Sequence, residues 1–116
     1  MGGRETKVYI SLPISGYPIE ERVAYANTVR NNLIEINSQV CGFRGCKKNL
    51  SVVTPFDFCP ELDKPYSYYM GKDIEALLEC DAIYLCSGWQ DSKGCMAEFE
   101  VARIYGKEIM FESWGR

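Results

Sequence analysis

A carboxylate set into the first turns of a helix that opens on Ser-x-Gly stands where a bound ligand would meet it. The stretch GWQDSKGCMAEFEVARIYG, residues 88–106, offers two such groups, Glu98 and Glu100. At about 100° per residue, Ala97, Val101, Ile104 and Tyr105 share one face of this helix, while Met96, Glu100 and Arg103 point away from it. Glu98 lies on the margin of the apolar face, and Glu100 points outward, in reach of Arg103 at i,i+3. The two are therefore not equivalent, and Glu98 is the one with chemical prospects. The positive end of the helix dipole favours its ionised form, and an ionised carboxylate in a concave site is a nucleophile. The structural alternative is a half-buried glutamate bonded to a neighbouring loop.

Other residues of the right types stand nearby in sequence or are brought near by topology. Asp91 or Ser92 caps the helix, Gly94 permits close approach of backbone, and the free N–H groups of such a start receive an anion, typically a phosphate. Ser11, Ser15 and Gly16, after the first strand, make a cradle for phosphate or ribose, without a Walker A or GxGxxG pattern. Trp89 and Tyr17 offer faces on which a base would stack, or simply pack. Asp73, in MGKDIEALLECD, is the second carboxylate, although a place early in its helix has a dipole explanation as well. Tyr66, Tyr68 and Tyr69 read as packing residues of a loop or an interface.

Composition narrows the chemistry. The chain of 116 residues contains no His, which excludes imidazole acid–base schemes and His-dependent triads. A net charge of −3 lacks the basic footprint of a nucleic-acid binder, so small molecules are the expected partner class. Of six cysteines, Cys80, Cys86 and Cys95 fall in apolar or helical patterns, as buried thiols do, which points to a reducing cytoplasm. Cys41 and Cys46 form a C-x4-C pair with no second pair at ligand spacing, so they read as a loop with two thiols and not as a zinc site. No metal or cofactor is expected. No run reaches the ~18 apolar residues of a membrane span, and the opening MGGRETKVYI lacks the apolar stretch of a secretory signal.

These residues need elements to hold them. KVYISLP reads as a buried strand followed by the turn ISGYP. Apolar residues at Ile19, Val23, Ala26, Val29, Leu33 and Ile36 predict a helix over residues 18–39, with the Gly-rich GFRGCKKN as its connection onward. LSVVT is a second strand, and the three prolines of PFDFCPELDKP forbid regular structure through that loop. A helix over Ser67–Glu79, the strand DAIYLCS, the GWQDSKG loop, a helix over Lys93–Tyr105 stopped by Gly106, and a last strand KEIMFE complete the chain. Strand–helix alternation implies one α/β domain over residues 1–116, a flavodoxin-like three-layer sandwich with a small parallel sheet in the order 2-1-3-4. In that order the strand order reverses between strands 1 and 3, where open sheets bind ligands. Tyr9–Tyr17 and Trp89–Glu98 then share one crevice. Two sheet edges also need cover, which homo-oligomerisation would supply.

With these residues in place, a resemblance can be stated. Tyr9 in strand 1, Asp73 on helix 2 and Ser92-x-Gly94-x-x-x-Glu98-x-x-x-Ala102 together resemble the nucleoside 2-deoxyribosyltransferase superfamily. The stretch DIEALLECDAIYLCSGWQDSKGCMAEFEVARIYGKEI is similar to small bacterial and phage domains of uncharacterised function grouped with it, and Thr54-Pro55 fits the same subgroup. The resemblance implies that Glu98 attacks the anomeric carbon of a deoxyribosyl unit, that Tyr9 orients it by a hydrogen bond, and that Asp73 acts at the departing base or the sugar. The substrate implied is a nucleoside or nucleotide, transferred to a second base or hydrolysed; the alternative is a non-catalytic nucleotide-binding or sensor domain. Ser92 replaces the Asp of typical transferases, as in the related 2'-deoxynucleoside 5'-monophosphate N-hydrolases, where a serine contacts phosphate. Leu12-Pro13-Ile14-Ser15 replaces the Gly-Ser-x-Arg phosphate loop of those hydrolases, leaving Lys93 as the basic residue nearest the motif.

Overall fold

Strands form where β-branched and aromatic residues run together, and here they make a single four-stranded parallel sheet. The computed structural model describes residues 5–44, 49–57 and 64–112, with backbone alone at 5, 37–44 and 49. The elements are β1 (Glu5–Ser11), α1 (Ile19–Arg44), β2 (Asn49–Val53), α2 (Tyr66–Leu78), β3 (Ala82–Leu85), α3 (Lys93–Ile104) and β4 (Glu108–Phe111). The order is β2-β1-β3-β4, all parallel, so the expected flavodoxin-like arrangement is the observed one.

Side chains alternate across β1, and the alternation sorts the core into two halves. Val8, Ile10 and Leu12 pack with Val52, Tyr84 and the α1 residues Ala26 and Val29 on one face. Tyr9 packs with Ile83, Leu85, Leu77 of α2 and Ala102 of α3 on the other. Helices thus cover both faces, giving the three layers. Registers Tyr9↔Ile83 and Ser11↔Leu85 bring the carboxyl ends of β1 and β3 level, which is where the strand order reverses.

Three features differ from expectation. α1 continues through Arg44, into the Gly-rich segment expected to end it. Pro55–Asp57 forms a 3-10 turn within the proline-rich loop, because Asp57 accepts from Thr54 N at 2.9 Å and its own N–H donates to Thr54 O at 3.1 Å. Residues 58–63 of that loop, and the side chains of Cys41 and Cys46, lie outside the described residues. α3 docks by a different face from the one its apolar stripe implied. Cys95, Glu98 and Ala102 are buried, whereas Ile104 and Tyr105 are 64% and 63% exposed. Small side chains at positions 95 and 102 let this helix sit close to the sheet, and Glu98 falls at the centre of the docked face instead of its margin.

Candidate functional site

Tyr9 and Ser11 are two residues apart on β1, so both point toward the α2–α3 layer. There they meet Glu98. Ser11 Oγ donates to Glu98 Oε1 at 2.6 Å, and the Tyr9 hydroxyl donates to Oε2 at 3.0 Å. Both donors are fully buried, and Glu98 is only 4% exposed. The carboxylate therefore has one donor on each oxygen and is fixed in orientation, as a reacting group must be.

Its electrostatics differ from the expectation of a readily ionised group. Burial pushes the Glu98 carboxyl up to about 8; the Ser11 hydrogen bond opposes this, the Asp73 carboxylate adds to it, and the Tyr9 bond opposes it. Glu98 lies beyond the first turn of α3, where the helix dipole has faded, so desolvation prevails. Burial also pushes Asp73 up to about 7. Asp73 sits in the middle of α2, not early in it, so no dipole accounts for its presence. It is 8% exposed, and its Oδ1 has no hydrogen-bond partner among the described residues. The Tyr9 hydroxyl is raised well above its ordinary value by burial and then by the Glu98 carboxylate, which keeps it a donor.

Both carboxyls open onto a cleft of about 940 Å³ between the β1–α1 loop, the Pro55–Phe56 turn, α2 and the start of α3. Ser15, Asp91, Ser92, Gly94 and Tyr17 line it, as expected. Ser92, and not Asp91, caps α3, accepting from Cys95 N at 3.2 Å. A Cβ on Gly94 would lie 3.3 Å from Tyr66 Oη and 3.5 Å from Met70 Sδ, so glycine is what allows α2 this near. Lys93 also lines the cleft.

Three assignments need correction. Ser11 does not line the cleft; it is buried behind Glu98 and acts on that carboxylate instead of on a ligand. Gly16 is likewise absent from the lining: its φ of 88° serves the Ile14–Tyr17 turn, closed by Tyr17 N donating to Ile14 O at 3.2 Å. Trp89 packs on Phe99 and Phe111, with ring centroids 5.0 and 5.7 Å away, and does not line the cleft. Tyr66, Tyr69, Met70 and Phe56 supply the apolar wall in its place. The signal for the α2 part of that wall was present: Tyr66, Met70 and Asp73 stand at i, i+4 and i+7 on one helix face. Burial, then the Glu98 and Asp73 carboxylates, raise the Tyr66 hydroxyl above its ordinary value.

Among the described residues, no group of three or more His, Cys, Asp or Glu could hold a metal ion. The arrangement can instead present a fixed carboxylate, a second carboxyl and an aromatic wall to a partly apolar ligand. No curated protein matches the chain. Residues 6–111, from β1 to the end of β4, match one family along almost the whole sequence, and the chain belongs to that family, a domain of unknown function, DUF4406.

Proposed function

We propose that the protein cleaves the N-glycosidic bond of a 2'-deoxynucleoside or its 5'-monophosphate, with Glu98 as nucleophile, and passes the deoxyribosyl unit to a second base or to water. One observation carries this reading: a carboxylate that is 4% exposed, opens onto a cleft, and has each oxygen held by its own buried donor. Any buried carboxyl needs donors; the opening of this one onto a cleft is what a merely structural glutamate has no need of.

The steps follow from the groups present. An ionised Glu98 oxygen attacks C1' as the C1'–N bond breaks, and the bonding pair passes to the base nitrogen. Asp73, with its carboxyl near 7, carries a proton that the departing base can take. The oxocarbenium-like transition state collapses onto Glu98 as a glycosyl ester. Water or a second base then attacks C1' and gives up its proton to the Asp73 carboxylate, and the C1'–O pair returns to the Glu98 carboxylate, which Tyr9 and Ser11 hold as a leaving group. The aromatic wall of Phe56, Tyr66 and Tyr69 suits a nucleobase.

A second reading, a nucleotide-binding or sensor domain without turnover, has one observation in its favour. Burial pushes the Glu98 carboxyl up to about 8, which favours the neutral acid over the nucleophilic carboxylate near pH 7. Chromatography of 2'-deoxynucleosides and their monophosphates, incubated with and without a free acceptor base, separates the readings. Free base alone means hydrolysis, and a new nucleoside means transfer. Intact substrates that nevertheless raise the melting temperature mean binding without turnover.

A further inference from the structure

The Leu12–Tyr17 loop and the turn at Ser87–Gly88 form adjoining rims of the cleft, and a Cβ on Gly88 would lie 3.5 Å from Pro13 Cγ. On the α1 side of the sheet, a chain of side chains that do not line the cleft joins these rims. Arg22 is 7% exposed, and its Nη1 donates to Pro13 O at 3.0 Å. Its Nε and Nη2 donate to the Glu21 carboxylate at 2.7 and 2.9 Å. The guanidinium carbon stands 4.2 Å from the Tyr17 ring centroid and 4.8 Å from that of Tyr25. The Tyr25 hydroxyl donates to Glu112 Oε1 at 2.5 Å, and that same oxygen accepts from Ser87 N at 2.8 Å. A continuous path therefore runs from the carbonyl of Pro13 to the amide of Ser87, through one turn of α1 and the residue that follows β4.

Well-packed apolar side chains often replace buried ion pairs at little cost in stability, since a buried charge repays its desolvation only when its partners are in place. What the polar chain adds is directionality: planar guanidinium bonds and a shared carboxylate oxygen fix separations that packing alone leaves loose. We propose that Arg22, Tyr25 and Glu112 are positioning residues, a strut that fixes the two rims relative to each other and thereby the pose of a ligand over Glu98. The catalytic part of this statement rests on the glycosidase reading; the mechanical part does not.

Hydrogen exchange at the amides of residues 14–17, 87 and 89, measured in the wild type, Tyr25→Phe, Arg22→Met and Glu112→Gln, tests it together with steady-state kinetics of base release. Tyr25→Phe removes one hydroxyl distant from the Pro13 end, yet exchange should rise roughly tenfold at both rims while amides of β1 stay protected. KM should rise roughly fivefold or more with kcat within about threefold, because the ligand's pose and not the chemistry is disturbed. Glu112→Gln keeps an acceptor oxygen for Tyr25 and Ser87 and should stay close to wild type. Faster exchange at one rim only, at neither rim, or equally in β1 overturns the strut, as does a fall in kcat at unchanged KM. Should no substrate release base, the glycosidase reading fails separately, and the exchange data still decide on the strut. If Arg22→Met does not fold, Tyr25→Phe, which keeps the ring, carries the test.

Discussion

The carboxyl of Glu98 titrates near 8 even though Ser11 and Tyr9 both donate to it, so its burial has a consequence for stability as well as for chemistry. The ordinary value is 4.5, and the folded chain holds this proton to higher pH than the unfolded chain does. The associated stability is whole below about pH 4.5 and falls as pH rises through about 8. Asp73, raised from 3.8 to about 7, adds a fall of the same sign. At about 1.4 kcal/mol for each pKa unit, the Glu98 contribution is on the order of 5 kcal/mol. Melting curves between about pH 5 and about pH 9 should therefore fall more steeply for wild type than for Glu98→Gln, which has no proton to lose. Parallel curves would show that burial does not hold the proton. The same titrations govern rate: cleavage should rise as Glu98 ionises and fall again as Asp73 loses its proton, a bell with its maximum between about 7 and about 8. At this scale the sequence was half legible. Glu98 stood out from Glu100, whose bond to Arg103 at 2.7 Å is the expected surface pair. The proton on Glu98 was not legible, because desolvation depends on what the sheet and α2 place around it, and no local pattern encodes that.

Among the elements, strand order and helix spacing were legible because period-2 and period-3.6 patterns are local and the crossover rule is general. The docking face of α3 was not. The stripe of Ala97, Val101, Ile104 and Tyr105 is the more hydrophobic, yet the sheet took Cys95, Glu98 and Ala102. Close approach through small side chains outweighed apolar area, and only the neighbouring layer determines that choice. Gly94 shows the same constraint from the α2 side. The start of α3 depends on Ser92, so Ser92→Ala should lose about 1 kcal/mol through the orphaned Cys95 amide. Denaturant unfolding measures it, and an unchanged midpoint would mean that the cap is dispensable. Of the two roles open to Trp89, stacking on a base or packing, the structure shows packing, and the neighbours that decide it, Phe99 and Phe111, come from α3 and β4.

On the scale of the whole molecule, the topology placed the cleft before any side chain was considered, since a β2-β1-β3-β4 sheet has its reversal between β1 and β3. No helix among the described residues is long and apolar enough to cross a membrane. Ile104, Tyr105 and the β4 residue Phe111 leave apolar surface at and beside one sheet edge, with Phe111 50% exposed. Self-association would cover it, and sedimentation velocity at micromolar concentration should detect a species heavier than 13.2 kDa. A monomer at every concentration would contradict that expectation while leaving the site unaffected. The central claim is that Glu98 performs nucleophilic catalysis on a deoxynucleoside or deoxynucleotide. It is tested most directly by base release from a substrate panel, comparing wild type with Glu98→Ala. The account predicts release by wild type and a loss of roughly 10³-fold or more in the variant, whereas release that survives the substitution, or none from any substrate, would contradict it.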